Sequence, residues 1–409
     1  MKRHRHGIGS RGFAYVVKRR SHPYHTAMSN PTDNTSSVAA GAGPQLSEAR
    51  PVTPEDEAGI ARLAARAFPR SQAVFVRAGR EGFVVDGQDG LAAAVLVRVI
   101  DLPGRRRLGF VGWAMTDPAY QGRGLAPALA KLSIARLEAL GCERIVTEIE
   151  GHNAASEGAF RKLGFRRIGP WAQVAAFGLL GAARARLSIG YSMDPGHFIW
   201  LRGAEPASIV EGRERALAWA LNGAFALLAL AMGSGFLLGG MPALPSAGAA
   251  GAALFAVILV IGIREGAMRA AARARGLAIT YRAWDSGLGI TATVAVLFGS
   301  LFPLPGSVYP TAEDWRARDA GPALATAALA GTGAVAVLVG LALWAGAAFA
   351  GTMGAAIAAG ILFIGKPLLL FDTVMAFPPF HAFNARRIYE HHRGVWAVMA
   401  VLGILLFLL

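Results

Sequence analysis

The residues of this chain whose types and spacing could do chemistry lie between positions 114 and 156. Tyr120-Gln121-Gly122-Arg123-Gly124-Leu125-Ala126 stands where a β-type run, 109–116, gives way to helically spaced Leu125, Leu129, Leu132 and Leu137. A glycine-rich turn at a helix N-terminus aims several backbone N–H groups at one anion, and the helix dipole adds roughly half a positive charge. The chemistry implied is phosphate binding. The spacing is neither that of the loop ending in Gly-Lys-Ser/Thr nor the GxGxxG fingerprint, so nucleoside triphosphate and dinucleotide loops are set aside. Acid–base candidates follow. Glu148 and Glu150 alternate with Ile149 and so share one face of a strand-like run, 144–150, and Ser156 offers a hydroxyl beyond it.

These residues need a frame to hold them. Arg50 to Val52 reads as a short strand, and Thr53-Pro54-Glu55-Asp56 as a helix start with a capping Thr, a first-turn Pro and early acids. Ile60, Leu63, Ala64 and Ala67 then fall on one face. Phe83 to Val85 and Leu91 to Ile100 flank Asp86-Gly87-Gln88-Asp89-Gly90, a hairpin signal, and Pro103-Gly104 turns the chain into the strand at 109–116. The order predicted is strand, helix, three antiparallel strands, helix, strand, helix, strand. Asn153 is placed to cap the helix that follows the 144–150 strand, and Gly164 to end it.

The pattern Gln-x-x-Gly-x-Ala at 121–126 resembles motif A of the GNAT acetyltransferases, and Asn153-Ala154-Ala155-Ser156 followed by Phe160-Arg161-Lys162-Leu163-Gly164-Phe165 resembles that family's second motif. The resemblance covers roughly 140 residues. It implies a mixed, mostly antiparallel α/β (α+β) sheet and acetyl-CoA as acetyl donor. Ala114 and Met115 would offer backbone groups to the pantetheine. Gln121, Gly122, Arg123, Gly124, Leu125 and Ala126 would line the pyrophosphate loop. Asn153 stands where the family often bonds CoA or a water, in competition with its capping role.

Here the chain departs from the pattern. Phe160 occupies the position where the family commonly has an acidic Tyr, and Val111, Gly112 and Trp113 stand where a Glu is frequent. Glu148 and Glu150 become the candidates for activating an acceptor amine, each with a salt bridge as its plain structural alternative, and Ser156 is a substitute proton donor. Positioning a neutral amine beside the thioester supplies much of the rate in any case.

Composition adds a second part to the protein. Of 409 residues, 54% are hydrophobic and 16% charged, too apolar for an ordinary soluble protein, so a lipid bilayer is an expected partner. Apolar runs at 216–238, 247–271, 287–303, 321–347, 353–373 and 394–409 predict five or six spans. The net charge of +15 is uneven: Lys2, Arg3, Arg5, Arg11, Lys18, Arg19 and Arg20 crowd an N-terminal stretch read as a disordered tail, and no nucleic-acid partner is expected. Met28 is a candidate alternative start, and no signal-peptide pattern is read. The single cysteine, Cys142, excludes an intrachain disulfide and a thiolate zinc cluster. The division expected is 1–45 tail, 46–185 acetyltransferase-like domain, 186–212 linker and 213–409 transmembrane domain. Arg269, Arg273, Arg275 and Arg282 argue for a cytosolic face after the second span, the side on which the acetyltransferase-like domain is placed. The loop with Arg386, Arg387 and Arg393 then conflicts with six simple spans, so either one run is re-entrant or 321–373 crosses differently.

Within these spans, Arg264-Glu265-Gly266-Ala267-Met268 resembles the zinc helix of site-2-protease-like membrane metallopeptidases, with Asn384-Ala385 where a ligand Asp-Gly would stand. Arg264, Met268 and Asn384 replace all three ligands that the resemblance implies, so no metal and no protease activity are expected. Glu265 is expected to pair with Arg269. His381, His391 and His392 do not replace the lost ligands, and the neighbouring pair His391–His392 is read as a surface feature. The leading function is a membrane-tethered acetyltransferase acting on an amine of unidentified class. The alternative is a non-catalytic acyl-CoA-binding pseudoenzyme coupled to an inactive peptidase-like scaffold.

Overall fold

The computed structural model of the chain describes residues 48–76, 81–189, 195–204, 210–378 and 380–409. The N-terminal tail expectation and the alternative start fall outside them. The first part runs β1 (Arg50–Pro51), α1 (Glu57–Ala67), the short α2 (Arg70–Ala73), β2 (Glu81–Gly87), β3 (Gly90–Leu102), β4 (Arg106–Thr116), α3 (Leu125–Ala139), β5 (Arg144–Glu150), α4 (Ala154–Lys162), β6 (Phe165–Arg167), α5 (Pro170–Phe177), α6 (Leu179–Ile189) and β7 (His197–Arg202). The seven strands form one sheet in the order β1-β2-β3-β4-β5-β7-β6. Its ladders are antiparallel except β4–β5, which is parallel. This is the mixed, mostly antiparallel sheet that the resemblance implied.

The side-chain period of two sorts the strands onto two layers. Val95, Val97, Val111, Ile145 and Ile149 join Leu125, Leu129, Ile134 and Leu137 of α3 and Phe160 of α4 in one core. On the opposite face Ala94, Leu96 and Met115 pack under Ile60 and Leu63 of α1, while Phe110, Val146 and Ile199 pack under Phe177, Ala185 and Ile189 of α5 and α6. Burying one such aliphatic side chain contributes on the order of 1.5–3 kcal/mol, so these faces hold the sheet's register.

One segment differs from its reading. Residues 186–212 were expected to link two domains, yet His197–Arg202 inserts between β5 and β6 as β7, pairing Glu150 with His197 and Val146 with Leu201. The run His197-Phe198-Ile199-Trp200-Leu201 is buried on both faces, as an inner strand requires.

The second part continues with α7 (Glu211–Met232), α8 (Ala247–Ala274), β8 (Ile279–Arg282), α9 (Leu288–Phe298), β9 (Ser307–Pro310), α10 (Ala317–Ala348), α11 (Met353–Thr373), α12 (Asn384–His391) and α13 (Arg393–Leu408). Among the described residues, four stretches are long and apolar enough to cross a membrane: Glu211–Leu238, Ala247–Ala274, Ala317–Ala348 and Met353–Thr373. Two shorter apolar helices, α9 and α13, account for the other two runs. At 1.5 Å per residue, the 11 residues of α9 reach only about 17 Å, short of a hydrocarbon core about 30 Å thick. The short antiparallel ribbon β8–β9 projects from the bundle toward the sheet.

Candidate functional site

The parallel ladder between β4 and β5 runs from Leu108–Arg144 to Val111–Thr147 and stops, although β4 continues to Thr116 and β5 to Glu150. The cause is a bulge. Val111 pairs with Val97 and Ala114 with Val95, so Gly112 and Trp113 together oppose Leu96, which bends β4 away from its parallel neighbour. Thr147 closes the last rung by donating its hydroxyl to the Val111 carbonyl at 2.9 Å. Beyond that rung, 112–116 and 148–150 do not pair with each other, so the sheet is split at the carboxyl ends of its parallel strands, and this split is the candidate ligand cleft. Open α/β sheets bind ligands at that place.

The glycine-rich turn sits at the mouth of this cleft. Gly122 and Gly124 have φ of +79° and +73°, and a Cβ built on either meets nothing within 4 Å. Both needs, the left-handed backbone and the open approach, select glycine. Gly124 is the N-cap of α3, whose first-turn residues are Leu125, Ala126 and Pro127. Pro127 has no N–H, so the donors of that turn are those of Leu125 and Ala126. Asp117 fixes the approach to the turn: its carboxylate accepts from Ala119 N at 2.9 Å and from Arg66 of α1 at 2.5 Å. Tyr120 accepts from Gln88 N at 3.0 Å, and Arg123 lies over its ring at 5.1 Å. The arrangement can hold a phosphate or pyrophosphate at the helix N-terminus and an extended chain along β4.

The residues singled out from sequence fall around this cleft with distinct environments. Ala114 and Met115 lie on β4 beyond the last rung. The Met115 side chain is in the α1 core, leaving only its backbone for a ligand. Asn153 Oδ1 accepts from Ser156 N at 3.0 Å, so its capping role is present. Ser156 is half-buried in the first turn of α4. Phe160 is buried and packs edge-on against Phe165 at 5.3 Å.

Glu148 and Glu150 share a face, and each meets an arginine. Arg186 of α6 donates to Glu148 at 3.0 Å and to Asp285 at 2.5 Å. Arg386 of α12 pairs with both Glu150 and Glu390. Burial pushes the Glu150 carboxyl up, but Arg386 and the neighbouring His381, His152 and His197 outweigh it and hold the group at about 2. The same burial, with the arginines beside it, drives the His152 imidazole well below its ordinary 6.5 and His381 to about 4. This titratable cluster at the end of β5 is what sequence reading missed. His381 is part-buried within it, and Glu150 and His152 lie more than two hundred residues from it along the chain.

The bundle and the sheet therefore meet at the cleft's own end. Arg282 reaches Glu157 of α4 at 2.7 Å, Arg167 reaches Glu214 of α7 at 3.2 Å, and Gln173 donates to Asp285 at 2.7 Å. Tyr309 packs edge-on against Phe198 and lies 5.5 Å from His152, so close to Gly151 that a Cβ there would stand 2.5 Å from its ring.

Inside the bundle, Arg264 and Asn384 converge on Asp372, and the Asn384 amide also reaches Met268 Sδ at 3.9 Å. Arg264 grips that carboxylate at 2.6 and 3.0 Å, and Asn384 donates to it from its backbone at 3.1 Å and its amide at 3.0 Å. Glu265 pairs with Arg269 as expected, and also with Arg215 of α7. Among the described residues no three His, Cys, Asp or Glu side chains are grouped to hold a metal.

Residues 48–165 match the acetyltransferase (GNAT) family model. The curated mycothiol acetyltransferase of Amycolatopsis mediterranei (strain U-32) is 31% identical over 131 residues, 28% of this chain; the chain spans 44% of that relative. Among solved structures, a chain of the NatC complex bound to Gag peptide and CoA aligns at 17% identity and a TM-score of 0.28, over 38% of this chain and 98% of that one. N-acetylglutamate synthase from Neisseria gonorrhoeae, complexed with coenzyme A and N-acetyl-glutamate, aligns at 15% and 0.27, over 38% of this chain and 34% of that one. The family match and the curated relative support a GNAT acetyltransferase domain in the N-terminal part.

Proposed function

We propose that the chain is a membrane-anchored N-acetyltransferase that moves an acetyl group from acetyl-CoA to an amine, with the acetyltransferase domain on the cytosolic side. The observation that carries this reading is the parting of β4 from β5 beyond Val111 and Thr147, with the 121–126 turn at its mouth. The pyrophosphate lies against the N–H groups of Gly124, Leu125 and Ala126, flanked by Gln121, Gly122 and Arg123. The pantetheine runs along the backbone of Ala114 and Met115, placing the thioester near the end of β5.

The amine nitrogen attacks the thioester carbonyl, the C–S bond breaks, and the departing thiolate takes a proton. Phe160 has none to give, so Ser156 is the hydroxyl nearest in sequence to that task. Glu148, which meets Arg186, takes the amine's proton through water; Glu150, held at about 2 beside Arg386, is too weak a base for that and only orients the amine. Orientation supplies the larger part of the rate, since a neutral amine held against the thioester gains several kcal/mol from positioning alone.

Calorimetric titration of the full chain, in nanodiscs, with acetyl-CoA tests the reading. Low-micromolar or tighter binding that is lost in Gly124→Glu and weakened at least about tenfold in Arg123→Glu is the expected result. An isotherm without binding, or one unchanged by both substitutions, overturns it.

A further inference from the structure

Three arginines are buried in the described residues, and they are not equivalent. Arg264 has Asp372 and Arg282 has Glu157. Arg387, 4% exposed, has no carboxylate partner among the described residues. Its Nη2 donates to the Val308 carbonyl at 2.9 Å and its guanidinium lies 5.3 Å over the Tyr309 ring, while Nε and Nη1 are buried with no hydrogen-bond partner.

Two further polar groups around Tyr309 are in the same condition. Ser307, 1% exposed, precedes Tyr309 by two residues on β9 and so shares its face; its Oγ has no partner. His152 Nε2 is likewise buried and unpartnered, on the ring 5.5 Å from Tyr309. The charges facing Arg387 are Arg264 and Arg386, of like sign, and Asp372, already gripped by Arg264. Burial and these like charges pull Arg387 down to about 10, which still leaves it charged at neutral pH. A buried cation with free donors is stable only with a counter-charge, and charge-assisted bonds to an oxyanion are the strongest that a guanidinium makes.

We propose that Arg387, Ser307 and His152 form an oxyanion-binding site between the acetyltransferase sheet and the membrane bundle, taking a phosphate group. Two sources share that chemistry: free phosphate and the headgroup of an anionic phospholipid. The site lies beside the Glu150–Arg386 pair, so its occupant neutralises the cationic side of the domain interface at the end of the cleft. It differs from the 121–126 turn in every residue, and its occupancy does not depend on acetyl transfer.

The test is thermal unfolding of the full chain in nanodiscs without acetyl-CoA. In phosphatidylcholine discs, titration with inorganic phosphate at constant ionic strength is expected to raise the midpoint saturably, by about 2–4 °C. If phosphate has no effect but discs containing phosphatidylglycerol give the rise, the occupant is a lipid headgroup, and the proposal stands in that form. In both cases Arg387→Gln abolishes the rise and Ser307→Ala weakens it, whereas Arg318→Gln, at an exposed position, leaves it unchanged. Should Arg387→Gln fail to fold, Ser307→Ala carries the comparison. No saturable rise with either anion, or an equal rise in the substituted proteins, overturns the proposal. Because acetyl-CoA is absent throughout, failure here is separate from failure of the acetyltransferase reading.

Discussion

Glu157, in the first turn of α4, lies 2.7 Å from the guanidinium of Arg282 on β8, with both side chains almost wholly buried. The pair ties the helix after β5 to the ribbon that projects from the bundle, and Arg282 also lies 4.8 Å over the Tyr309 ring. Breaking a buried pair leaves an uncompensated charge, which costs about 3–5 kcal/mol. Glu157→Gln and Arg282→Met should each lower the unfolding midpoint of the full chain in detergent. The double substitution should cost less than the sum, because neither charge is then stranded. Additive losses would show that the two residues do not act as a pair.

The turn that approaches α3 depends on Asp117, which accepts from Ala119 N and pairs with Arg66 of α1. Asp117→Ala removes both ties without touching a residue of the 121–126 turn. Acetyl-CoA affinity should fall about fivefold to twentyfold by calorimetry, with the midpoint lowered by a smaller margin than for Glu157→Gln. Unchanged affinity would mean that the turn holds its shape without Asp117.

Much of the sheet was legible because its signals are local. The run 144–150 is a strand with those bounds, and Asn153 caps the helix after it, since alternation and capping are read over a few residues. β7 was not legible: His197–Arg202 pairs with β5 about fifty residues back, and a short apolar run carries no mark of its partner. The same limit explains the site. That Glu148 and Glu150 share a face follows from a period of two, but that Arg386 clamps Glu150 follows only from the fold. The 121–126 turn was legible as a glycine-rich turn at a helix start, and the structure adds that Gly122 and Gly124 take positive φ there.

Acid should loosen the interface between sheet and bundle. His381, part-buried beside Arg386, is pushed to about 4 by burial first and by that arginine second. The unfolded chain takes up this proton as pH falls through 6.5, while the folded chain does so only near 4. The stability it contributes is therefore full above about 6.5 and lost between 6.5 and 4, on the order of 2 kcal/mol by pH 5. His152 shifts in the same direction. Glu150, held at about 2, adds its loss lower, between about 4.5 and 2. The midpoint should drop from pH 7 to pH 5, and His381→Gln, which cannot titrate, should flatten that drop. A fall of equal size in His381→Gln would assign the acid sensitivity elsewhere.

The Arg264–Asp372 pair should prove the most costly single contact in the bundle. Arg264 belongs to α8, Asp372 to α11, and Asn384, which donates to the same carboxylate, opens α12. The Asn384 amide also reaches Thr332 of α10 at 3.3 Å, so four helices are tied through one carboxylate. Packing leaves little slack there: a Cβ on Gly331 would stand 2.5 Å from Met268. Asp372→Asn keeps the shape and removes the charge, stranding Arg264 in an apolar interior, and about 3–5 kcal/mol should be lost. Arg264→Met combined with Asp372→Leu strands no charge and should lose less than Asp372→Asn alone. Unfolding midpoints of the three proteins in one detergent decide it. If Asp372→Asn matches the unaltered chain, the four helices are held by apolar packing and the pair is incidental.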